Sequence, residues 1–480
     1  MRQSPDPVKN ETLTLSPGLL MLERGEDELL LCDPELLRPV YLRRGGSFVR
    51  QLLSRAANGI SRETLYKQFA NDKALLQLLE RQRILQGTAQ EEKVAEQLLR
   101  PALQTSPMHT RVVYLTLTTA CNLNCVYCLG GRQDRGGPVQ KMMRQTALRA
   151  VEQAFEQTDF GGEVEVCFFG GEPLQNWPLV KTVGEACLSE VAQRHPDKTL
   201  RLSMVSNLAE PPEDLTTWSL EHGMSFLCDI DGPQAVHDLL RPFKSRAGSW
   251  TVVTENVRRL AEAGVGVGLR MTLTALNQGH MMETARLFRQ LGGRSCAFVP
   301  VQPVDCLGRF LRQDLLPDMD VLVAGLRQVY ESGLWTTENL FPLSNFRQRL
   351  QSGGVGEGPG CASFDGQTPV VSPSGEVYPC VYLAGNRQFC VGEAAGDREN
   401  RCNWGLLQGV RDSLLTSRLP ECRNCGWRKL CGGGCAVPRL MIGPGSGASE
   451  KVKEYARQAN CRFIAAAVEL VLWELADEQQ

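Results

Sequence analysis

VVYLTLTTACNLNCVYC, residues 112–128, decides how this chain is read. Its first half is apolar and β-branched and predicts a strand. The strand runs directly into three cysteines, Cys121, Cys125 and Cys128. A complete iron–sulfur cubane takes four thiolates. Three on one short loop leave one iron free to bind something else. The same loop suits a zinc ion or three unrelated thiols, and it does not separate these by itself.

Outward from this loop the pattern alternates. EVEVCFFG (163–170), LRLSMVSN (200–207), MSFLCDI (224–230) and VGVGLRMTL (265–273) are further candidate strands. Helical stretches such as RQTALRAVEQAFEQ (144–157) and ENVRRLAEAG (255–264) lie between them. This rhythm predicts a parallel sheet or partial barrel, with a site at the carboxyl ends of the strands.

Composition narrows the class. With 480 residues the chain is too long for one core, and two to four domains are expected. A net charge of −2 demands no basic surface, so no nucleic-acid partner is expected. The polar start lacks a signal-peptide pattern, and LLMLERGEDELLLC (19–32) is broken by five charges. No membrane span is expected, and the expected location is cytoplasmic. Eighteen cysteines stand against five histidines. In a reducing compartment this favours thiolate-bound metal over disulfides.

FFGGEPL (168–174) follows the second barrel strand. Gly170 and Gly171 let backbone approach a ligand closely, and Glu172 offers an anionic acceptor. MVSNLA (204–209) places Ser206 and Asn207 at the end of the next strand. LCDIDGPQAVHDLLR (227–241) carries Asp229, Asp231, Gly232, Pro233, His237, Asp238 and Arg241, and GLRMTLT (268–274) carries Arg270. Together with the C-x-x-x-C-x-x-C loop these resemble the radical S-adenosylmethionine (SAM) superfamily. The resemblance implies an α/β fold with a partial (β/α)6 TIM-like barrel. It implies a [4Fe–4S] cluster on Cys121, Cys125 and Cys128 whose open iron binds SAM. By the same resemblance Tyr127 lies beside the adenine, and Gly170, Gly171 and Glu172 bind the amino group. Ser206, Asn207 and Asp229 meet the ribose, where Asp229 replaces the family's usual Ser, and Arg270 meets the carboxylate.

A second array follows a glycine-rich boundary at 351–360, where nine cysteines stand between Cys361 and Cys461. CASFDGQTPVVSPSGEVYPC (361–380) and CRNCGWRKLCGGGC (422–435) resemble the seven-cysteine SPASM pattern, a loop-rich iron–sulfur domain. The resemblance implies two auxiliary [4Fe–4S] clusters. Cys361, Cys380 and Cys435 would hold one, and Cys422, Cys425, Cys431 and Cys461 the other. The fourth ligand of the first would be Cys390, Cys402 or substrate. Cys32, Cys167, Cys187, Cys228, Cys296 and Cys306 read as small buried hydrophobes.

The first 85 residues read as three strands, then three helices with Ser61 as an N-cap. This layout resembles the winged-helix-like α+β module that binds leader peptides of ribosomal natural products. There a leader adds as a strand, here beside Val40 to Leu42 and against Leu75 to Leu79. The domain reading is: 15–86 leader module, 87–110 linker, 111–304 barrel, 305–355 bridging region, 356–465 SPASM domain, 466–480 C-terminal helix end. The combination resembles a peptide maturase that cross-links a ribosomal precursor by thioether or C–C bonds through a 5′-deoxyadenosyl radical. Its partners would be the precursor peptide and an electron donor such as flavodoxin or ferredoxin. The alternatives are a peptide epimerase, a zinc-stapled adaptor or an anaerobic sulfatase maturase. The last usually carries Asp where this chain has Val381.

Overall fold

The computed structural model describes residues 11–34, 37, 39–43, 46–87, 110–128, 138–351, 361–394 and 403–478. Most of the linker reading at 87–110, most of the glycine-rich boundary and Cys402 lie outside the described residues.

The N-terminal region opens with β1 (Thr12–Leu15), then an antiparallel meander of β2 (Leu20–Arg24), β3 (Glu28–Cys32) and β4 (Val40–Arg43). Three helices follow, α1 (Gly46–Ala56), α2 (Arg62–Gln68) and α3 (Lys73–Arg81). Ser61 caps α2, its hydroxyl accepting from the Thr64 amide at 3.2 Å. The short strands β5 (Ile60–Ser61) and β6 (Leu85–Gly87) flank β1.

β3 explains an oddity of its sequence. Leu29, Leu30, Leu31 and Cys32 are all buried. Successive side chains point to opposite faces of a strand. Leu29 and Leu31 therefore join the small core with Val49, Leu52, Leu65, Leu76 and Leu79, whereas Leu30 and Cys32 join the large core of the rest of the chain. A strand covered on both faces needs a continuous apolar run.

The central sheet is parallel from β7 (Val112–Thr116) through β8 (Glu163–Phe169), β9 (Thr199–Ser206), β10 (Ser225–Asp229), β11 (Val267–Leu273) and β12 (Ser295–Pro300) to the two-residue β13 (Leu340–Phe341). Helices connect consecutive strands. The sheet also continues on the other side of β7. There β14 (Val370–Val371) pairs parallel to it, followed by antiparallel β15 (Glu376–Tyr378) and β16 (Gly392–Glu393). The segment between Cys361 and Cys380 is thus part of the central sheet. Gly375, at φ +96°, makes the β14–β15 turn. The last helix, Glu450–Glu478, packs on the helices Met319–Glu331 and Leu343–Gln351. Among the described residues no helix is long and apolar enough to cross a membrane.

Candidate active site

The ends of β7 to β11 converge on the first cysteine loop. The loop is stitched to the segment after the helix Gln234–Leu240. Asn124 N donates to Pro242 O at 2.8 Å, and Val126 N to Leu240 O at 2.9 Å. Beneath it, Gly171 N donates to Thr118 O at 2.8 Å and Glu172 N to Ala120 O at 2.7 Å. A Cβ on Gly170 would lie 2.4 Å from Thr118 O, and one on Gly171 2.3 Å from Ala120 O. The double glycine is thus required for the strand exit to lie against the cysteine loop.

Glu172 is buried and caps the short helix after it. Its Oε1 accepts from Leu174 N at 3.1 Å and Ser206 Oγ at 2.8 Å, and its Oε2 from Asn207 N at 2.7 Å. Asn207 Nδ2 reaches the Cys121 sulfur at 3.8 Å and Asn122 Oδ1 at 2.8 Å. Burial pushes the Cys121 thiol up to about 11 and raises that of Cys125 further. The charges of Cys121 and Cys128 both act on Cys125.

Tyr127 joins a buried ionic network. Its hydroxyl donates to Asp231 and accepts from Arg241 Nη1 at 2.7 Å. Arg241 stands 3.7 Å from Asp229 and 3.8 Å from Asp231. Arg270 holds Asp229 with Nε at 2.5 Å and Nη2 at 2.9 Å. The two residues read as separate SAM contacts therefore meet each other. His237 locks the base of the network. Its Nδ1 accepts from Asp231 N at 3.1 Å, while Nε2 faces Ser249 Oγ at 3.0 Å. The Ser249 hydroxyl in turn donates to Arg241 O at 2.6 Å. Only the neutral tautomer with hydrogen on Nε2 satisfies this chain. Burial, the larger cause, and Arg241 together lower the His237 pKa to about 3.

These residues fit a thiolate-bound cluster and an anionic ligand. With the Cys121 and Cys125 thiols raised, metal binding is what would take their protons. The Arg241 charge favours the anionic form of Cys121 and Cys125, and its buried Nε lacks a hydrogen-bond partner. Among the described residues no group of three His, Cys, Asp or Glu side chains is ready-made for a metal ion.

The C-terminal cysteines fall into two sets. Cys380 and Cys435 each feel the charge of Cys361, and Cys380 also that of Cys435. Separately, Cys422 feels Cys425 and Cys461, Cys431 feels Cys422 and Cys461, and Cys461 feels Cys425. Burial pushes Cys431 and Cys435 up to about 12. Gly432, Gly433 and Gly434 run at φ +62°, +82° and +76°. Three consecutive left-handed residues are open to glycine and to little else. This turn sends Cys431 to one set and Cys435 to the other. The Cys390 thiol donates to Gly392 O at 3.4 Å.

Tyr382 is a residue that motif reading missed. Its amide donates to the Cys380 sulfur at 3.4 Å. Its side chain is 37% exposed, yet Arg270, Asp229, Cys380 and Cys435 all act on it. The charges that act on it come from both the barrel network and the first C-terminal set. Its position two residues after Cys380 was the available signal.

A parallel sheet whose strand ends carry three cysteines, a double glycine and a buried arginine–carboxylate network is the frame on which the comparisons bear. Residues 115–288 match the Radical SAM superfamily, so this stretch of the chain carries a Radical SAM domain. The superfamily brings a [4Fe–4S] cluster and SAM. Mycofactocin maturase MftC of Mycobacterium tuberculosis is 24% identical over 333 residues, 68% of this chain and 78% of that protein. The chain spans 62% of the uncharacterized protein MJ0907 of Methanocaldococcus jannaschii, at 23% identity over 189 residues, 39% of this chain. The fold is similar to that of anSMEcpe with bound AdoMet, with a TM-score of 0.62 and 15% identity over 77% of this chain and 96% of that one. It is also similar to Streptococcus suis SuiB bound to precursor peptide SuiA, with a TM-score of 0.52 and 14% identity over 92% of this chain and 100% of that one.

Proposed function

We propose that this enzyme modifies a ribosomally made precursor peptide, installing an intramolecular thioether or C–C cross-link. The carrying observation is the open edge of β4. In the sheet order β2-β3-β4 the outer side of β4 has no strand partner among the described residues. Val40 on that strand shares a core with Leu76 and Leu79 of α3. A leader peptide adding there gains main-chain hydrogen bonds and an apolar wall. The names of MftC, a maturase, and of SuiB, bound to a precursor peptide, support the same reading. Val381, where sulfatase maturases usually have Asp, speaks against that alternative.

The bound cluster and SAM supply a 5′-deoxyadenosyl radical, which can take hydrogen from an unactivated carbon. The chain's own part is placement. Cys121, Cys125 and Cys128 hold the cluster. Tyr127, Gly170, Gly171, Glu172, Ser206, Asn207, Asp229 and Arg270 form the SAM site. The sets Cys361/Cys380/Cys435 and Cys422/Cys425/Cys431/Cys461 hold two auxiliary [4Fe–4S] clusters, and a flavodoxin- or ferredoxin-like protein in the cytoplasm supplies electrons.

The test is anaerobic reaction with the precursor peptide, read by mass spectrometry, for the full chain and for one lacking residues 1–87. The full chain removes two hydrogens per cross-link. The shortened chain still cleaves SAM but leaves the precursor untouched. Equal processing by both ends the leader reading, and unchanged mass with inverted stereochemistry identifies an epimerase.

A further inference from the structure

Arg349 occupies the last turn of the helix Leu343–Gln351, outside both cysteine motifs. Its Nη1 donates to the carbonyls of Leu430 at 2.7 Å and Cys431 at 3.4 Å. Its guanidinium also lies 5.1 Å from the Phe346 ring. Arg349 lines the same cleft as Cys361. Two carbonyls and a ring thus fix one cation beside Cys431 of one set and Cys361 of the other.

Its neighbours differ between the sets. Around the second set stands another arginine, Arg439. Its Nη2 reaches the Cys422 sulfur at 3.8 Å, and it is paired to Glu421. Beside the first set Gln302 Oε1 lies 3.9 Å from the Cys435 sulfur and Tyr382 N donates to Cys380, and the Arg439 charge reaches Cys435 as well. Arg349 is therefore a cation beside both sets, placed there by its carbonyl contacts and by the cleft it shares with Cys361. The position fits a charge-setting role better than a fold-holding one, because a neutral donor could serve the carbonyls equally well.

We propose that Arg349 is a positioning residue that eases one-electron reduction of the groups held by both C-terminal cysteine sets. This rests on the reading that each set holds an iron–sulfur cluster. A thiolate-bound cubane becomes more negative by one charge when it accepts an electron, so a fixed cation at its edge favours the reduced form. Because Arg349 binds the Cys431 carbonyl and faces the cleft that Cys361 lines, it acts on the two in the same direction. Its contacts with Leu430, Cys431 and Phe346 all lie away from the Cys121–Cys128 loop in sequence.

The experiment is an EPR-monitored potentiometric titration of anaerobically reconstituted full chain, with dithionite as reductant. The C121A/C125A/C128A background isolates the C-terminal signals. In that background R349Q shifts both C-terminal midpoints to more negative potential, and R349K stays close to the unaltered chain. In the chain with all cysteines, R349Q leaves the SAM-site midpoint in place. Unchanged C-terminal midpoints in R349Q at full iron content overturn the proposal. So does equal iron loss in R349Q and R349K, since the fork geometry and not the charge would then be what the site needs. Iron analysis of the unaltered chain tests the underlying reading separately. About 12 iron atoms per chain support three clusters, whereas about four remove the premise itself.

Discussion

Arg270 grips Asp229 at two points, Nε to Oδ1 at 2.5 Å and Nη2 to Oδ2 at 2.9 Å, at the adjoining ends of β11 and β10. The side chains are 29% and 10% exposed, so the pair is shielded without being sealed. Asp229 also lies 3.7 Å from Arg241, which leaves one carboxylate between two guanidinium groups. Both arginines hold its pKa below the ordinary value against the opposing effect of burial.

That arrangement makes the two residues separable by mutation. Asp229→Ala leaves two cations facing each other and is expected to cost on the order of 3 kcal/mol in denaturant unfolding. Asp229→Ser keeps a hydroxyl acceptor and frees Arg270, so SAM affinity is expected to hold or tighten. Arg270→Met is expected to weaken SAM binding roughly 10-fold or more, about 1.4 kcal/mol. Calorimetric titration of reconstituted protein reads both. Unchanged affinity in Arg270→Met would assign Arg270 to the ion pair alone.

The double glycine gives a steric prediction. A Cβ at Gly170 or Gly171 meets a carbonyl oxygen of the cysteine loop at 2.4 or 2.3 Å, and Gly170 runs at φ +147°. Backbone cannot yield as a flexible side chain can. Gly171→Ala is expected to displace Ala120 and thereby the cysteine next to it. The readout is iron bound at the first loop, measured by absorbance and EPR in a background lacking the C-terminal cysteines. A loss there with little change in far-UV dichroism is the expected result. Full iron occupancy would show that the loop can shift without harm.

Much of this site was legible because its chemistry is local. Cys121, Cys125 and Cys128 lie within eight residues, and the double glycine follows the next strand directly. Five barrel strands, β7 to β11, are five to eight residues long and announce themselves by their apolar pattern. By contrast, β13, β14 and β16 are two residues each, too short to carry a period, and they need a preformed neighbour to pair with. The hairpin joining the C-terminal region to the central sheet was therefore invisible. So was the partnership of Asp229 with Arg270, 41 positions apart, and the reach of Arg349 to Cys431. No pattern along the chain marks a contact created by folding. Gly432, Gly433 and Gly434 lie between, since the motif was readable but its splitting of Cys431 from Cys435 was not.

His237 sets a pH limb. Its folded pKa is about 3, against an ordinary value near 6.5. Above about 6.5 both folded and unfolded histidine are neutral, and the residue contributes no pH dependence. As pH falls below that, the unfolded chain takes up a proton that the folded chain refuses, so stability falls towards pH 3. Asp231 works with the opposite sign. Burial raises it to about 6, so the folded chain binds the extra proton as pH falls below that value. The two partly offset each other in the unaltered protein. His237→Gln removes only the histidine part. Denaturant unfolding from pH 7 to pH 4.5 is expected to show a shallower acid loss in this variant. A parallel curve would mean that His237 is charged in the folded chain.

Trp473 governs how the N-terminal region meets the rest. Arg24 on β2 lies over its ring at 4.6 Å and pairs with Asp477 one turn further along the last helix, at 2.6 and 2.8 Å. Tyr41 on β4 meets the same ring edge-on, with centroids 6.0 Å apart. At the other end of the meander Gly18 packs on Asn424 and Gly426, on either side of Cys425, and a Cβ on Gly426 would lie 2.3 Å from Gly18 O. The indole thus anchors the sheet that carries the proposed leader edge. Exposed ion pairs contribute about 0–1 kcal/mol, whereas removing a buried aromatic costs about 3–5 kcal/mol, so the ring and not the salt bridge should dominate. Trp473→Ala is expected to loosen residues 12–87 while the barrel stays folded. Limited proteolysis should then cut first in the N-terminal region, and peptide processing should fall while SAM cleavage without peptide persists. Arg24→Ala should do little by either measure. If Arg24→Ala proved as damaging as Trp473→Ala, the anchor would be the charge network through Asp477 and not the packed ring.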